Sequence, residues 1–234
     1  MPSQQITLDF PSASNYGRSQ FMIGACNAIA ADWIDRWPDW PGVIRALIIH
    51  GEPTCGKTHL ATIWKDASQA TDINSISDGI SDGISDGIDA LDPDKSYVLD
   101  ELACGANWPD EMLFHLLTRF TGSNGSLLIL AKEPPAAMPW RLADVASRLA
   151  AINTAHITAP DDDMLEHLMR KLSDDRGMAL DGEMISYIVK RMERSFICAN
   201  AIIDALDETS ITEKKKVNMG MARKVLADMQ PTLF

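Results

Sequence analysis

The stretch GEPTCGKT, Gly51 to Thr58, matches the pattern G-x-x-x-x-G-K-[ST] in full. In such a loop, successive backbone N–H groups turn inward towards phosphate oxygens, and Gly51 and Gly56 allow the tight turn and close approach that this requires. A helix that begins near Lys57 would offer its positive N-terminal end to the same anion. Lys57 would reach the β- and γ-phosphates, and the Thr58 hydroxyl would coordinate Mg²⁺. The pattern therefore predicts a phosphate-binding loop, or P-loop.

Two acids further along the chain could complete this chemistry. Asp100 and Glu101 end the apolar stretch SYVLDEL. A P-loop enzyme needs one acid for the metal and a group that positions the attacking water. Asp100 would hold Mg²⁺ through water, and Glu101 would orient or activate the attacking water. The alternative is a charge pair that only marks the end of a strand.

The elements around these residues follow an alternating order. Apolar runs at 43–51, 96–102 and 126–131, with a last short one inside 151–160, predict strands. Amphipathic patterns at 27–37, 57–68, 110–120 and 142–150 predict helices. Strands that alternate with helices are typical of a parallel α/β sheet, which we assign to residues 13–157.

The character of the chain changes at Asp161. Four helical patterns follow, the first with acids in its opening turn and a closing glycine at Gly177. We therefore predict a small all-helical domain at residues 158–234. Residues 1–12 are assigned to an extended peptide that precedes the α/β domain.

Composition narrows the class of protein. The chain has 234 residues, is 46% hydrophobic and carries a formal net charge of −12. Binding of duplex DNA depends on Lys and Arg that neutralise phosphates, so we expect a protein partner and no direct sequence-specific DNA binding. The single basic cluster, Lys214–Lys216, is interpreted as a solvated loop. Four scattered cysteines, no secretory leader and no long apolar run indicate a cytoplasmic protein without a disulfide framework or zinc site.

The segment ISDGISDGISDGI, residues 76–88, repeats a four-residue unit. Glycine at every fourth position argues against a stable helix, and Ser-Asp-Gly favours turns. We predict an expanded surface loop. A calcium-binding loop is the alternative, although the segment lacks the spacing and closing glutamate of an EF-hand.

These residues together resemble a known family. The P-loop, the acidic strand end, the stretch EPP…RLADVASRL and a helical lid are similar to the AAA+ module of the replication initiator DnaA. The segments GKTHL, LFHLL, LADVASRLAA, PDDDML, KLSDDRG and KRMERS resemble Hda-type, DnaA-related regulators of alphaproteobacteria more closely. The resemblance spans nearly the whole chain and implies an AAA+ fold.

The resemblance also implies roles for individual residues. Arg148 matches the arginine finger, which points from its own subunit at the γ-phosphate of a neighbour; the alternative is a helix-surface salt bridge. Arg194 matches the sensor II arginine, which contacts nucleotide from the lid. Met22 and Ile23, next to Phe21, match the segment near the adenine. The implied nucleotide site also includes Gly51, Glu52, Pro53, Thr54, Cys55, Gly56, Lys57, Thr58 and His59.

The chain departs from the DnaA pattern in two places. Ala131 and Lys132 stand where DnaA carries a serine-aspartate pair, so we expect no polar sensor I and weak intrinsic ATPase activity at most. The sequence ends at Phe234, directly after the predicted lid, so we expect no helix-turn-helix domain.

The N-terminal stretch QITLDF matches Q-x-x-L-x-F and resembles the peptide with which bacterial proteins bind the replicative sliding clamp. The Gln5 amide would set the register by hydrogen bonding, and Leu8 and Phe10 would fill apolar pockets. The alternative is an N-terminal strand of the sheet.

The resemblance thus implies a regulator that binds ADP or ATP with Mg²⁺, docks on the DNA polymerase III clamp and stimulates hydrolysis of ATP on DnaA in trans, which prevents over-initiation. The alternative is an autonomous AAA+ ATPase that remodels or loads a replication partner. Homo-oligomerisation stays open.

Overall fold

The computed structural model describes residue 18 and residues 21–73, 84–103 and 108–229. A five-stranded sheet is the centre of the first part of the chain. All its pairings are parallel, in the order β2-β3-β4-β1-β5. The strands are β1 Ala46–His50, β2 Thr71–Asp72, β3 Tyr97–Leu102, β4 Leu127–Ala131 and β5 Asn153–His156. The predicted α/β class is confirmed.

Helices cover both faces of this sheet. In chain order they are α1 Ala28–Asp35, α2 Lys57–Ser68, α3 Ile84–Asp89, α4 Asp110–Arg119 and α5 Ala143–Ala150, with a short 3₁₀ turn at Pro135–Ala137. Successive side chains of a strand point to opposite faces. In β1, Ile48 therefore packs among the residues under α4 and α5, while Leu47 and Ile49 pack under α1 and α2.

A helical lid follows the sheet. Its helices are α6 Asp162–Asp175, α7 Gly182–Val189, α8 Phe196–Glu213 and α9 Met219–Met229. All four begin with a side-chain cap, because the side chains of Asp161, Asp181, Ser195 and Asn218 accept hydrogen bonds from backbone N–H groups three residues on, at 2.7–3.2 Å. The four helices share one apolar core, so the lid has a core separate from the two beneath the sheet.

One local prediction needs correction, and one strand was not predicted. The third copy of the Ser-Asp-Gly repeat is helical, since α3 covers Ile84–Asp89. Burial of Ile88 in the core beneath the sheet gives this turn tertiary support that outweighs the low helix propensity of glycine. The edge strand β2 was not predicted, because two residues are too few to show the alternation of apolar and polar side chains that indicates a strand.

The rest of the repeat and the N-terminal peptide, with Gln5, Leu8 and Phe10, lie outside the described residues. Among the described helices, none is long and apolar enough to cross a membrane.

Candidate functional site

The predicted P-loop joins the carboxyl end of β1 to the first residue of α2. Gly51 follows β1, and its N–H donates to the carbonyl oxygen of Ala131 at 3.2 Å. A Cβ on Gly51 would lie 2.1 Å from the carbonyl oxygen of Ile157, so no larger residue fits there. Gly56 has φ +103°, which an L side chain rarely adopts, immediately before Lys57 opens α2. The sequence therefore folds into the strand–turn–helix arrangement that phosphate binding requires.

The Lys57 ammonium group lies inside this loop. Its Nζ donates to the carbonyl oxygens of Gly51 at 2.6 Å and Glu52 at 2.8 Å. The Glu52 carboxylate in turn lies 3.8 Å from Nζ of Lys132, the residue that follows β4. The position expected for sensor I thus carries an exposed cation that pairs with the P-loop.

The other residues of the predicted site line the same turn. Cys55 is buried and lies beneath the loop, with its Sγ 3.7 Å from Nζ of Lys57. The His59 ring, on the first turn of α2, meets the Phe21 ring edge-on with centroids 5.0 Å apart. Exposed positions of the loop and the start of α2 are Glu52, Pro53, Thr54 and Thr58.

Asp100 and Glu101 lie at an irregularity of β3. The register with β4 shifts between Leu99 and Leu102, and Glu101 has φ +57°. Such bulges redirect side chains and are frequent beside active sites. Burial raises the pKa of Asp100, and the Glu101 N–H, which donates to its Oδ1 at 2.8 Å, and the charge of Lys57 oppose that shift. The Lys57 charge thus favours the ionised form of Asp100.

Two histidines lie beside the P-loop on adjacent strands. His50 ends β1 and His156 ends β5, and their rings stack with centroids 4.8 Å apart. Burial lowers the pKa of His50, and the nearby His156 and Lys57 lower it further. The neutral form of His50 is therefore favoured beside the phosphate loop. The sequence patterns did not single out either histidine.

The lid presents the first turn of α8 to the P-loop. A Cβ placed on Gly56 would lie 3.7 Å from the ring of Phe196, the first residue of α8. Arg194 stands two residues earlier, and its Nη2 lies 2.9 Å from Oδ1 of Asp162 at the start of α6. The arginine assigned to sensor II therefore forms a surface ion pair with a carboxylate of its own lid, a partner that sequence reasoning missed.

Residues 21–24 lie between α2 and the lid. Phe21 packs with the core under α1 and α2, whereas Met22 packs against the lid core. Ile23 is 50% exposed. The buried Asn27 side chain holds the turn, because it accepts from the Gly24 N–H and donates to the Met22 carbonyl oxygen, each at 2.9 Å. These contacts place Met22 and Ile23 where the α/β part meets the lid.

Arg148 lies on α5, and none of its contacts in the described part of the chain is with the P-loop. Its Nε donates to Oδ2 of Asp144 at 2.7 Å. The helix-surface salt bridge named as the alternative is thus present. An aspartate four residues before an arginine was the signal for it.

The chain is similar in sequence to known proteins, among them one from Haemophilus and one from Lactobacillus. An uncharacterized protein of Haemophilus influenzae is 24% identical over 184 residues, which are 76% of this chain and 80% of that protein. DnaA of Lactobacillus delbrueckii subsp. bulgaricus is 22% identical over 120 residues, 51% of this chain and 26% of DnaA. The match therefore spans about a quarter of the length of that DnaA.

Solved structures share the fold. Domain III of DnaA from Thermotoga maritima has a TM-score of 0.69 at 17% identity, and the match covers 95% of this chain and all of that domain. AMPPCP-bound DnaA from Aquifex aeolicus has a TM-score of 0.64 at 12% identity, with 86% of this chain and 70% of that chain covered.

The fold and the P-loop define an AAA+ module, a parallel sheet flanked by helices with a helical lid. Residues 161–226 match the family model of the Hda lid domain. The chain is thus similar to Hda-type proteins in its lid and to domain III of DnaA in its fold.

Proposed function

We propose that this chain is a cytoplasmic regulator of replication initiation that binds an adenine nucleotide and stimulates hydrolysis of ATP bound to DnaA. It would act while docked on the replicative sliding clamp and so prevent over-initiation. One observation carries the proposal. The Arg148 guanidinium lies on the surface of α5 and makes no described contact with the P-loop of its own chain, and this chain has a lid that matches the Hda type.

The P-loop fits the phosphates of ADP or ATP. Gly51 and Gly56 keep side chains out of the turn, and the N-terminus of α2 supplies N–H groups and a positive dipole end. Lys57 already has its ammonium group inside the loop, and phosphate oxygens would replace the carbonyl oxygens that it now contacts. Met22 and Ile23 would lie beside the adenine. Arg194 would exchange Asp162 for a phosphate.

Magnesium would be held by the Thr58 hydroxyl and, through water, by Asp100. Bound Mg²⁺ supplies neutralisation of charge on the β- and γ-phosphates. Thr58 is exposed, and Asp100 lies close enough for Lys57 to influence its pKa. Glu101 would orient the water for any turnover at the chain's own site.

We infer that this turnover is weak. The strand end of β4 offers Ala131, which is buried, and Lys132, which pairs with Glu52. Neither side chain can accept a hydrogen bond from an attacking water, since the alanine side chain has no polar group and an ammonium group only donates. The nucleotide on this chain would then be structural, and the catalytic contribution would be made in trans.

The proposal is tested by following hydrolysis of ATP preloaded on DnaA, with DNA-loaded clamp and this protein. Arg148→Ala should lose stimulation on the order of 10³-fold, because an arginine finger stabilises the charge that spreads over the transferred phosphoryl group. Arg36→Ala is the matched control. Arg36 also pairs with an aspartate four residues earlier and lies over an aromatic ring. Stimulation by Arg148→Ala at the wild-type level would refute the finger assignment.

An autonomous ATPase is the second candidate, and the irregularity of β3 at Asp100 and Glu101 favours it. Steady-state ATP hydrolysis by the isolated chain separates the two functions. Fast turnover that Glu101→Gln abolishes would support a motor or loader. Slow turnover by the wild-type chain would support the regulator.

A further inference from the structure

The Arg148 guanidinium is held by three residues from two helices. Besides the Asp144 carboxylate at 2.7 Å, its Nη1 donates to Oγ1 of Thr118 at 3.1 Å. Its Cζ lies 5.0 Å from the centre of the Phe114 ring. Phe114 and Thr118 are four residues apart on α4 and so lie on one face of that helix. The side chain is thereby fixed across the surface of α4.

The Thr118 hydroxyl is oriented for this contact. Its Oγ1 donates to the carbonyl oxygen of Phe114 at 2.7 Å, so the lone pairs of the hydroxyl are left to accept from Arg148. A guanidinium has five N–H groups, and Arg148 uses two of them in the described part of the chain, which leaves three. The remaining donors keep the fork geometry that suits phosphate oxygens.

The three partners differ in charge. Phe114 and Thr118 are neutral and would not repel an approaching phosphate. The Asp144 carboxylate is 55% exposed, competes for the same guanidinium and would repel an anion that reaches it. Exposed ion pairs contribute about 0–1 kcal/mol, so a polyphosphate with several charges can displace one.

We propose that Phe114 and Thr118 are positioning residues that hold Arg148 extended towards the triphosphate of a nucleotide bound by a partner chain, and that Asp144 is the counterion which this triphosphate displaces. The inference rests on the proposed trans role of Arg148. It predicts that substitution of the neutral residues Phe114 and Thr118 lowers the rate of hydrolysis on the partner, whereas removal of the Asp144 charge does not.

The test measures single-turnover hydrolysis of ATP on DnaA against the concentration of this protein, with DNA-loaded clamp. Thr118→Val keeps the shape of the side chain and should lower the maximal rate about 3- to 10-fold, with Thr118→Ser restoring it. Phe114→Leu should lower it in the same direction. Asp144→Asn should match or exceed the wild-type rate. Asp32→Asn, which breaks the matched pair on α1, should change nothing.

A second measurement reports the cradle without DnaA. In the NMR spectrum of arginine guanidinium groups, the Arg148 Nη–H signals are assigned by their loss in Arg148→Ala. They should exchange with water faster in Thr118→Val, which removes the acceptor of Nη1, and at an unchanged rate in Asp32→Asn.

The outcomes separate the two proposals. An Arg148→Ala variant that stimulates DnaA like wild type overturns the trans role and this inference with it. An inactive Arg148→Ala beside wild-type rates for Thr118→Val and Phe114→Leu overturns the positioning roles alone. A fall in rate for Asp144→Asn equal to that for Thr118→Val overturns the displaced-counterion role.

Discussion

At the scale of single residues, Gly51 has the closest packing in the P-loop. A Cβ there would meet the Ile157 carbonyl oxygen at 2.1 Å, a backbone atom that cannot move without β5. Gly51 therefore follows the last residue of β1 and, because it has no side chain, leaves room for the backbone that follows β5.

Gly51→Ala should lower the free energy of unfolding and abolish ADP binding. Gly122→Ala is the control, since Gly122 has φ +74° but nothing within 4 Å of a new Cβ. We expect the control to lose about 1–2 kcal/mol from backbone strain alone. The Gly51 variant should lose about 1–3 kcal/mol more from overpacking. Urea unfolding and calorimetric titration with ADP measure both; equal losses would contradict the close approach.

Asp100, which we propose helps to hold Mg²⁺, illustrates the cost of burying a carboxylate. Burial raises its pKa, so the ionised form is disfavoured in the folded protein and stability is lost as pH rises through that pKa. Asp100→Asn should therefore melt at a higher temperature than wild type at pH 7.

The advantage of Asp100→Asn should shrink as the pH falls towards the ordinary aspartate value of 3.8, where the wild-type carboxyl is neutral too. Asp66→Asn, at an exposed position on α2, should melt like wild type throughout. The same Asp100 variant should lose Mg²⁺-dependent nucleotide binding. A lower melting temperature at pH 7 would contradict the burial argument.

At the scale of elements, the start of α8 couples the lid to the P-loop. Ser195 accepts from the Cys198 N–H at 3.0 Å and so defines where the helix begins. Arg194 and Phe196 flank that cap. Their positions beside Asp162 and Gly56 therefore depend on the first turn of one helix.

Ser195→Ala should reduce stability by about 1 kcal/mol, the usual cost of a lost N-cap, and should also weaken ADP binding severalfold. Asp181→Ala removes the cap of α7, which has no described contact with the P-loop, and should reduce stability similarly with ADP affinity unchanged. Chemical unfolding and ADP titration give both readouts. An equal loss of ADP affinity in the two variants would show that general loosening of the lid is responsible.

At the scale of the whole molecule, the net charge of −12 and the N-terminal peptide indicate how the protein would find its place of action. An acidic chain gains little from DNA phosphates. A peptide that docks on a DNA-loaded clamp would supply that localisation instead. The nucleotide site and the clamp peptide would then be separable functions.

The double variant Leu8→Ala/Phe10→Ala should abolish co-elution with the clamp in gel filtration, because both proposed anchors are removed. Ile6→Ala is the matched control, since residue 6 is not a specified position of Q-x-x-L-x-F. ADP binding should be unchanged in both, as no part of the proposed nucleotide site precedes Phe21. Clamp binding that survives the double variant would refute the docking peptide.

Short stretches of sequence were sufficient to predict the helix Lys57–Ser68, the acidic strand end at Asp100 and the lid helices. The glycine positions, apolar runs and helix caps that indicate these elements each involve residues that are close together in the chain. Strand β2 was not predicted, and the segment that forms helix α3 was predicted to be a loop. Two residues at a sheet edge show no pattern, and the glycine-containing turn at Ile84–Asp89 gains support from the burial of Ile88, which adjacent residues do not reveal.

The sequence by itself determined that a strand, a phosphate loop and a helix follow one another, since that motif depends on contiguous residues. Only the tertiary structure decided which groups from distant segments meet. It paired Arg194 with Asp162, placed Phe196 against Gly56 and laid Arg148 across Thr118. These contacts depend on how whole helices pack, and packing is set by burial of the shared cores and not by any one stretch of chain.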